Sequence, residues 1–200
     1  MTNIKKIAVP RYGKEPTEST AILVPICKIS NVPSLLYTVR STHLKQNSGE
    51  VTFPGGKTDG GEDAVQTALR ETFKVIGLPQ NKIEVWGKGT AVPGRNNKIL
   101  VTPVIGSIES LQQSDLNIDT KEVSEVFTIP IEMLCDAKNQ FHTQFSNGQV
   151  LPVYCVENYK IWGITAYITH IFLSSILTKD HYRNDWTKKK IDLDPIKSTT

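Results

Sequence analysis

Residues 51–78 read VTFPGGKTDGGEDAVQTALRETFKVIGL, and this stretch decides the fold. Val51-Thr52-Phe53 is a short strand ended by Pro54-Gly55-Gly56, where glycine permits tight backbone geometry. From Glu62 to Ile76 the pattern changes to helical period. Val65, Leu69, Thr72, Phe73 and Ile76 fall within an arc of about 100°, which predicts this as the inward face. Gly77 follows as a C′ residue and Pro79 forbids continuation. The segment is therefore strand, glycine loop, helix, loop.

Upstream, Ala21 to Ile29 and Leu35 to Arg40 are rich in Ile, Leu and Val and are separated by the turn-like Asn31-Val32-Pro33-Ser34, so they read as two paired strands. Downstream, strands are expected at Ile83 to Thr90, Ile99 to Ile108 and Val123 to Ile129, with a late hairpin over Val150 to Val156 and Tyr159 to Trp162. A helix near Ile164 to Leu177 closes the fold. Mixed strands with two well-separated helices imply an α/β sandwich with a mixed sheet. Residues 1–19 read as a flexible lead-in, 20–178 as one domain, and 179–200 as an exposed charged tail.

Composition narrows the function. The chain has 200 residues and a formal charge of +3, with 38% hydrophobic and 22% charged residues, as in a globular domain. That charge is too mild for a nucleic-acid binder, and Lys188-Lys189-Lys190 is its only basic cluster. Cys27, Cys135 and Cys155 are far apart and form no Cys-x-x-Cys, so a reducing intracellular compartment is expected, without a disulfide framework or zinc site. His43, His142, His170 and His181 lack metal-ligand spacing. The first 20 residues have no apolar core of a secretory signal, and Ser198-Thr199-Thr200 is not a peroxisomal address. Ile161 to Leu177 is uncharged but short and dotted with Thr, Ser and His, so a buried helix is expected rather than a membrane span.

Gly56-x5-Glu62-x7-Arg70-Glu71-x5-Gly77-Leu78 resembles the Nudix box, whose pattern is Gly-x5-Glu-x7-Arg-Glu-U-x-Glu-Glu-x-Gly-U, with U a bulky aliphatic. Leu35 to Ser41, Lys45, Gly49 and Phe53-Pro54-Gly55-Gly56 resemble the accessory signature of the coenzyme A diphosphatase branch, although that signature carries Arg where this chain has Lys45. Val101-Thr102-Pro103, Glu122-Val123 and Gly163-Ile164-Thr165-Ala166 are also similar to that branch, especially its peroxisomal members. The resemblance implies a Nudix α/β/α sandwich. It also implies hydrolysis of CoA or acyl-CoA to 3′,5′-ADP and phosphopantetheine with Mg²⁺ or Mn²⁺. Gly55, Gly56, Arg40 and Lys45 would then serve the CoA phosphates, and Glu71, Glu62 and Arg70 the catalysis. Metal ligands would be Glu71, Glu62 and Glu122, and Arg70 would pair with Glu62 or Glu71. Peroxisome, mitochondrion and cytosol all fit such a protein.

The box departs from its pattern at two positions. Residues 71, 74 and 75 share one helix face, and the family places a carboxylate at each. Here Lys74 and Val75 replace two of them. A protonated lysine offers no lone pair and repels a cation. At i+3, Lys74 can reach Glu71 and occupy the cation's place. Two readings stay open: a CoA-type diphosphatase with weak or lost activity, and a non-catalytic CoA or nucleotide binder or structural subunit.

Overall fold

The computed structural model describes residues 16–44, 47–94, 98–146 and 148–193. The chain divides into two compact units, residues up to Ile131 and residues from Glu132.

The first unit is a mixed sheet with a helix against it. Its strands are β1 (Glu18–Ile29), β2 (Val32–Arg40), β3 (Val51–Thr52), β4 (Gly55–Lys57), β5 (Ile83–Lys88), β6 (Val92–Pro93), β7 (Ile99–Ile108) and β8 (Val123–Pro130). The main order is β3-β2-β1-β7-β5, with β8 added to β2, β4 to β1 and β6 to β7. One pairing is parallel: β1 runs beside β7 from Glu18 opposite Ile99 to Cys27 opposite Ile108. Both strands are close to continuous apolar runs, as strands covered on two sides require. The expected strands therefore stand, and β4 and β6 join them. Gly55 and Gly56 belong to β4, opposite Ile22 and Ala21, so the expected loop is pinned to the central strand.

Helix α1 spans Ala64–Ile76. Asp63 caps it, accepting from the N–H groups of Val65 and Gln66 at 2.7 and 2.9 Å, while Gln66 returns the contact to the Asp63 N–H at 2.9 Å. Gly77 ends it in the left-handed region at φ 73°, which a side chain would resist. The segment before β8 closes this end, with the N–H groups of Asn117 and Asp119 reaching the carbonyls of Ile76 and Val75 at 2.9 and 3.1 Å.

The buried face of α1 differs from the one periodicity implied. It comprises Thr67, Ala68, Glu71, Thr72, Val75 and Ile76, whereas Phe73 is 54% exposed. The helix is turned by about 100° relative to the apolar arc. The cause is its seat on β1 and β4: Gly56 leaves room for the Glu71 side chain, and Val75 enters the apolar cluster with Ala21, Leu23, Leu36, Ala68 and Leu78.

The second unit holds an antiparallel sheet of β9 (Gln140–Gln144), β10 (Val150–Val156) and β11 (Tyr159–Ile161), with helix α3 (Gly163–Ile176) against β10. A short helix, α2 (Ile131–Cys135), lies at the division between the units. Helix α3 thus belongs to this unit, and Thr165, Ala166, Ile168, Thr169, Phe172 and Leu173 are its buried residues. No described helix is long and apolar enough to cross a membrane. Most of residues 179–193 are exposed, as their charge implies, but the segment is anchored at several points. Tyr182 and Asp185 are buried, Trp186 N–H donates to Gln140 Oε1 at 3.1 Å, and the His142 N–H and C=O pair with Lys189 and Ile191. Its aromatics supply the reason: Tyr182 and Trp186 both hydrogen-bond to His170 of α3.

Candidate functional site

Arg70 stands at the start of the site. Its Nε and Nη2 grip Glu62 at 2.6 and 2.9 Å, its Nη1 holds Glu71, and its Nη2 also reaches the Lys57 carbonyl at 3.0 Å and Asp59 at 3.3 Å. Glu62 is further held by Thr67 Oγ1 at 3.0 Å and the Asp59 N–H at 3.3 Å. The expected choice of partner, Glu62 or Glu71, resolves as both. The planar guanidinium makes this possible, offering five donors in a fixed fork. The grip of Arg70 pushes the Glu62 carboxyl down to about 2, and Glu62 in turn raises the Arg70 guanidinium above its usual range.

Glu71 lies at the floor, buried against the Gly56 backbone. A side chain at residue 56 would collide with its carboxylate. Beside it, Lys74 Nζ sits 3.6 Å from Glu71 Oε2 and 3.3 Å from Glu122 Oε1. Partial burial alone would lower the Lys74 pKa, but the charges of Glu71 and Glu122 outweigh it and raise it. Glu122 is delivered by the segment that caps α1, and its carbonyl accepts the Ser41 N–H at 2.9 Å, next to Arg40 at the end of β2. The Arg40 Nε is buried and has no partner among the described residues. Lys45 lies outside the described residues. Phe73 and Lys74 line a cleft of about 400 Å³ with Gly77, Asn117, Ile118 and Asp119.

The residues present do not fit Mg²⁺ or Mn²⁺. Such ions need several oxygen donors around one point. Among the described residues no group of three or more Asp, Glu, His or Cys converges to hold a metal. Glu71 and Glu122 share an ammonium, Val75 is in the core, and both Glu62 oxygens are engaged by Arg70 rather than turned to a cation shared with Glu71 and Glu122. Of the residues expected here, the fold brings Glu62, Arg70, Glu71, Gly56, Lys74 and Glu122 together and puts Arg40 next in line. Asp59 and Thr67 were not expected. Only the position of Asp59 before Gly60-Gly61, a turn preceding the helix, hints at its role.

The Nudix domain family matches residues 20–149. Over 161 residues the chain is 40% identical to the human mitochondrial coenzyme A diphosphatase NUDT8, covering 78% of this chain and 68% of that protein. It is 35% identical to the mouse peroxisomal coenzyme A diphosphatase NUDT7, covering 78% and 69%. A solved MutT/nudix family protein from Enterococcus faecalis shares the fold at 17% identity, with a TM-score of 0.50 over 90% of this chain and 70% of that one. Nudix hydrolases generally use divalent metals. With the box turn, helix and caps in place on a mixed sheet, and relatives of this similarity, the chain belongs to the Nudix family and resembles its coenzyme A diphosphatases.

Proposed function

We propose that the protein binds coenzyme A or acyl-CoA in a Nudix fold whose diphosphate hydrolysis is weak or lost. The observation that carries this is the Lys74 ammonium between Glu71 and Glu122. Hydrolysis of a CoA diphosphate needs a Lewis acid that bridges phosphate oxygens and a base for water. The carboxylates that would supply both are tied to Lys74 and Arg70. Ligand recognition draws on other groups: the Gly55-Gly56 backbone, Arg40 with its buried Nε, and Lys45. The mitochondrial and peroxisomal relatives make an intracellular, CoA-containing compartment part of this reading.

One assay tests it. The purified protein and the human relative are incubated side by side with CoA and Mg²⁺ or Mn²⁺, and 3′,5′-ADP is followed by chromatography. Turnover is expected on the order of 100-fold or more below the relative, since metal assistance contributes several kcal/mol. Calorimetry is expected to show CoA binding nonetheless. Turnover at the relative's rate, abolished by Glu71→Gln, would establish a working diphosphatase instead. No CoA binding up to millimolar concentration would leave a structural subunit.

A further inference from the structure

Two carboxylates from distant parts of the chain converge at the site: Glu71 from α1 and Glu122 from the segment before β8. Like charges brought together on a partly buried surface repel unless a cation stands between them. In this protein the cation is covalently attached. Lys74 contacts both, at 3.6 and 3.3 Å, and its side chain is 51% exposed. A second cation, Arg70, is ion-paired within the same cluster. Arg70 holds the other oxygen of Glu71 and both of Glu62, and touches Asp59. Among the described residues the ion-paired groups of this cluster are four carboxylates, Asp59, Glu62, Glu71 and Glu122, and two cations, Arg70 and Lys74, so the cluster is acidic and would still draw a divalent ion. What such an ion finds at the point nearest Glu71 and Glu122 is an ammonium.

Val75 has a different standing. It is 5% exposed and packed among Ala21, Leu23 and Leu36, on the core side of the helix. Its replacement of a carboxylate removes a donor but places no charge in the site.

The geometry points to Lys74 as a resident cation that takes the place of a divalent ion between Glu71 and Glu122, the one of the two replacements that puts a repelling charge where the ion would sit. Three carboxylates, at 71, 74 and 122, would converge if residue 74 were acidic. The inference deepens the CoA-binding reading and rests on it for the ligand. With the cation built in, the phosphates of CoA meet only protein charges, and their binding does not depend on added metal.

Mn²⁺ titration followed by electron paramagnetic resonance tests the charge exchange. Wild type is expected to leave the free Mn²⁺ signal intact to millimolar concentration. Lys74→Glu is expected to take up one Mn²⁺ on the order of 100-fold more tightly, as a repelling charge becomes a ligand, and Glu71→Gln in that background to abolish it. One micromolar site in wild type, lost in Glu71→Gln, overturns the inference, and so does a folded Lys74→Glu no tighter than wild type. Should Lys74→Glu fail to fold by circular dichroism, Lys74→Gln decides: removal of the ammonium alone must tighten Mn²⁺ about tenfold, and unchanged affinity overturns the inference. Calorimetry of wild type with CoA, in EDTA and in Mn²⁺, separates the two readings. Equal affinity supports both. Binding only with Mn²⁺ overturns the resident cation and keeps the CoA reading. No binding in either condition, with the Mn²⁺ pattern as expected, removes the CoA reading and supports the charge exchange.

Discussion

Gly56 and Glu71 form one packed unit: the backbone of the first lies so close to the carboxylate of the second that no side chain fits between them. The strand β4 and helix α1 are thereby held in contact at the point where the site's acidic floor lies. Gly56→Ala is expected to cost about 1–3 kcal/mol, as overpacking of a tight site does. Gly60→Ala, where a methyl group meets nothing within 4 Å, is expected to be close to neutral. Urea denaturation of both variants checks the contrast, and equal midpoints would refute the contact.

Val75→Glu is expected to destabilise the fold by at least about 2 kcal/mol, because it buries a carboxylate in an apolar cluster without a partner. It should not restore metal binding in the Lys74→Gln background. A thermal melt of Val75→Glu beside Val75→Ile, expected within about 1.5 kcal/mol of wild type, separates lost burial from simple crowding.

Arg70 depresses the Glu62 carboxyl to about 2. A carboxyl lowered in the fold stabilises above its unfolded value near 4.5, and that contribution fades as pH falls toward 2. Glu62→Gln is therefore expected to flatten the stability profile across this acid window while Arg70→Lys, which loses the two-pronged grip, compresses it. Melting temperature against pH is the readout, and an unchanged profile in Glu62→Gln would contradict the pairing.

His170 gives a second pH window in the other unit. Its Nδ1 faces the Tyr182 hydroxyl at 3.0 Å and the Trp186 Nε1–H at 3.3 Å, with the Ser174 hydroxyl at 3.4 Å. Burial lowers its pKa from 6.5 to about 4. The neutral ring is the folded form, so its contribution is complete above pH 6.5 and is lost as pH falls toward 4. Residues 182–186 should loosen over this range, read as faster amide exchange at Trp186. His170→Asn, which keeps an acceptor but does not titrate, is expected to remove the effect.

Much of this is legible in the sequence. Glycine, proline and the change from period 2 to 3.6 mark strand, turn and helix over residues 51–78, because those signals are local. The i,i+3 spacing of Glu71 and Lys74 likewise anticipates their contact. The orientation of α1 was not legible: apolar periodicity favours Phe73 as an inward residue, and only the glycine backbone of β4, a tertiary neighbour, draws Glu71 and Val75 inward instead. For the same reason the order of β1, β7 and β5 could not be read, and Glu122 was placed at this site by family resemblance alone, since these features join residues far apart in the chain. The charged run after Lys179 announces its exposure but not its anchoring, which its two aromatics, not its lysines, decide.

The strap made by residues 182–191 also governs how the protein can be trimmed. Shortening it at residue 179, as its charge invites, would strip the Trp186 N–H from the fully enclosed Gln140 carboxamide and leave the His142 peptide group without the two backbone bonds it makes to Lys189 and Ile191. Expression boundaries drawn by hydropathy would thus fray β9, and a crystallisation or assay fragment should extend through Ile191.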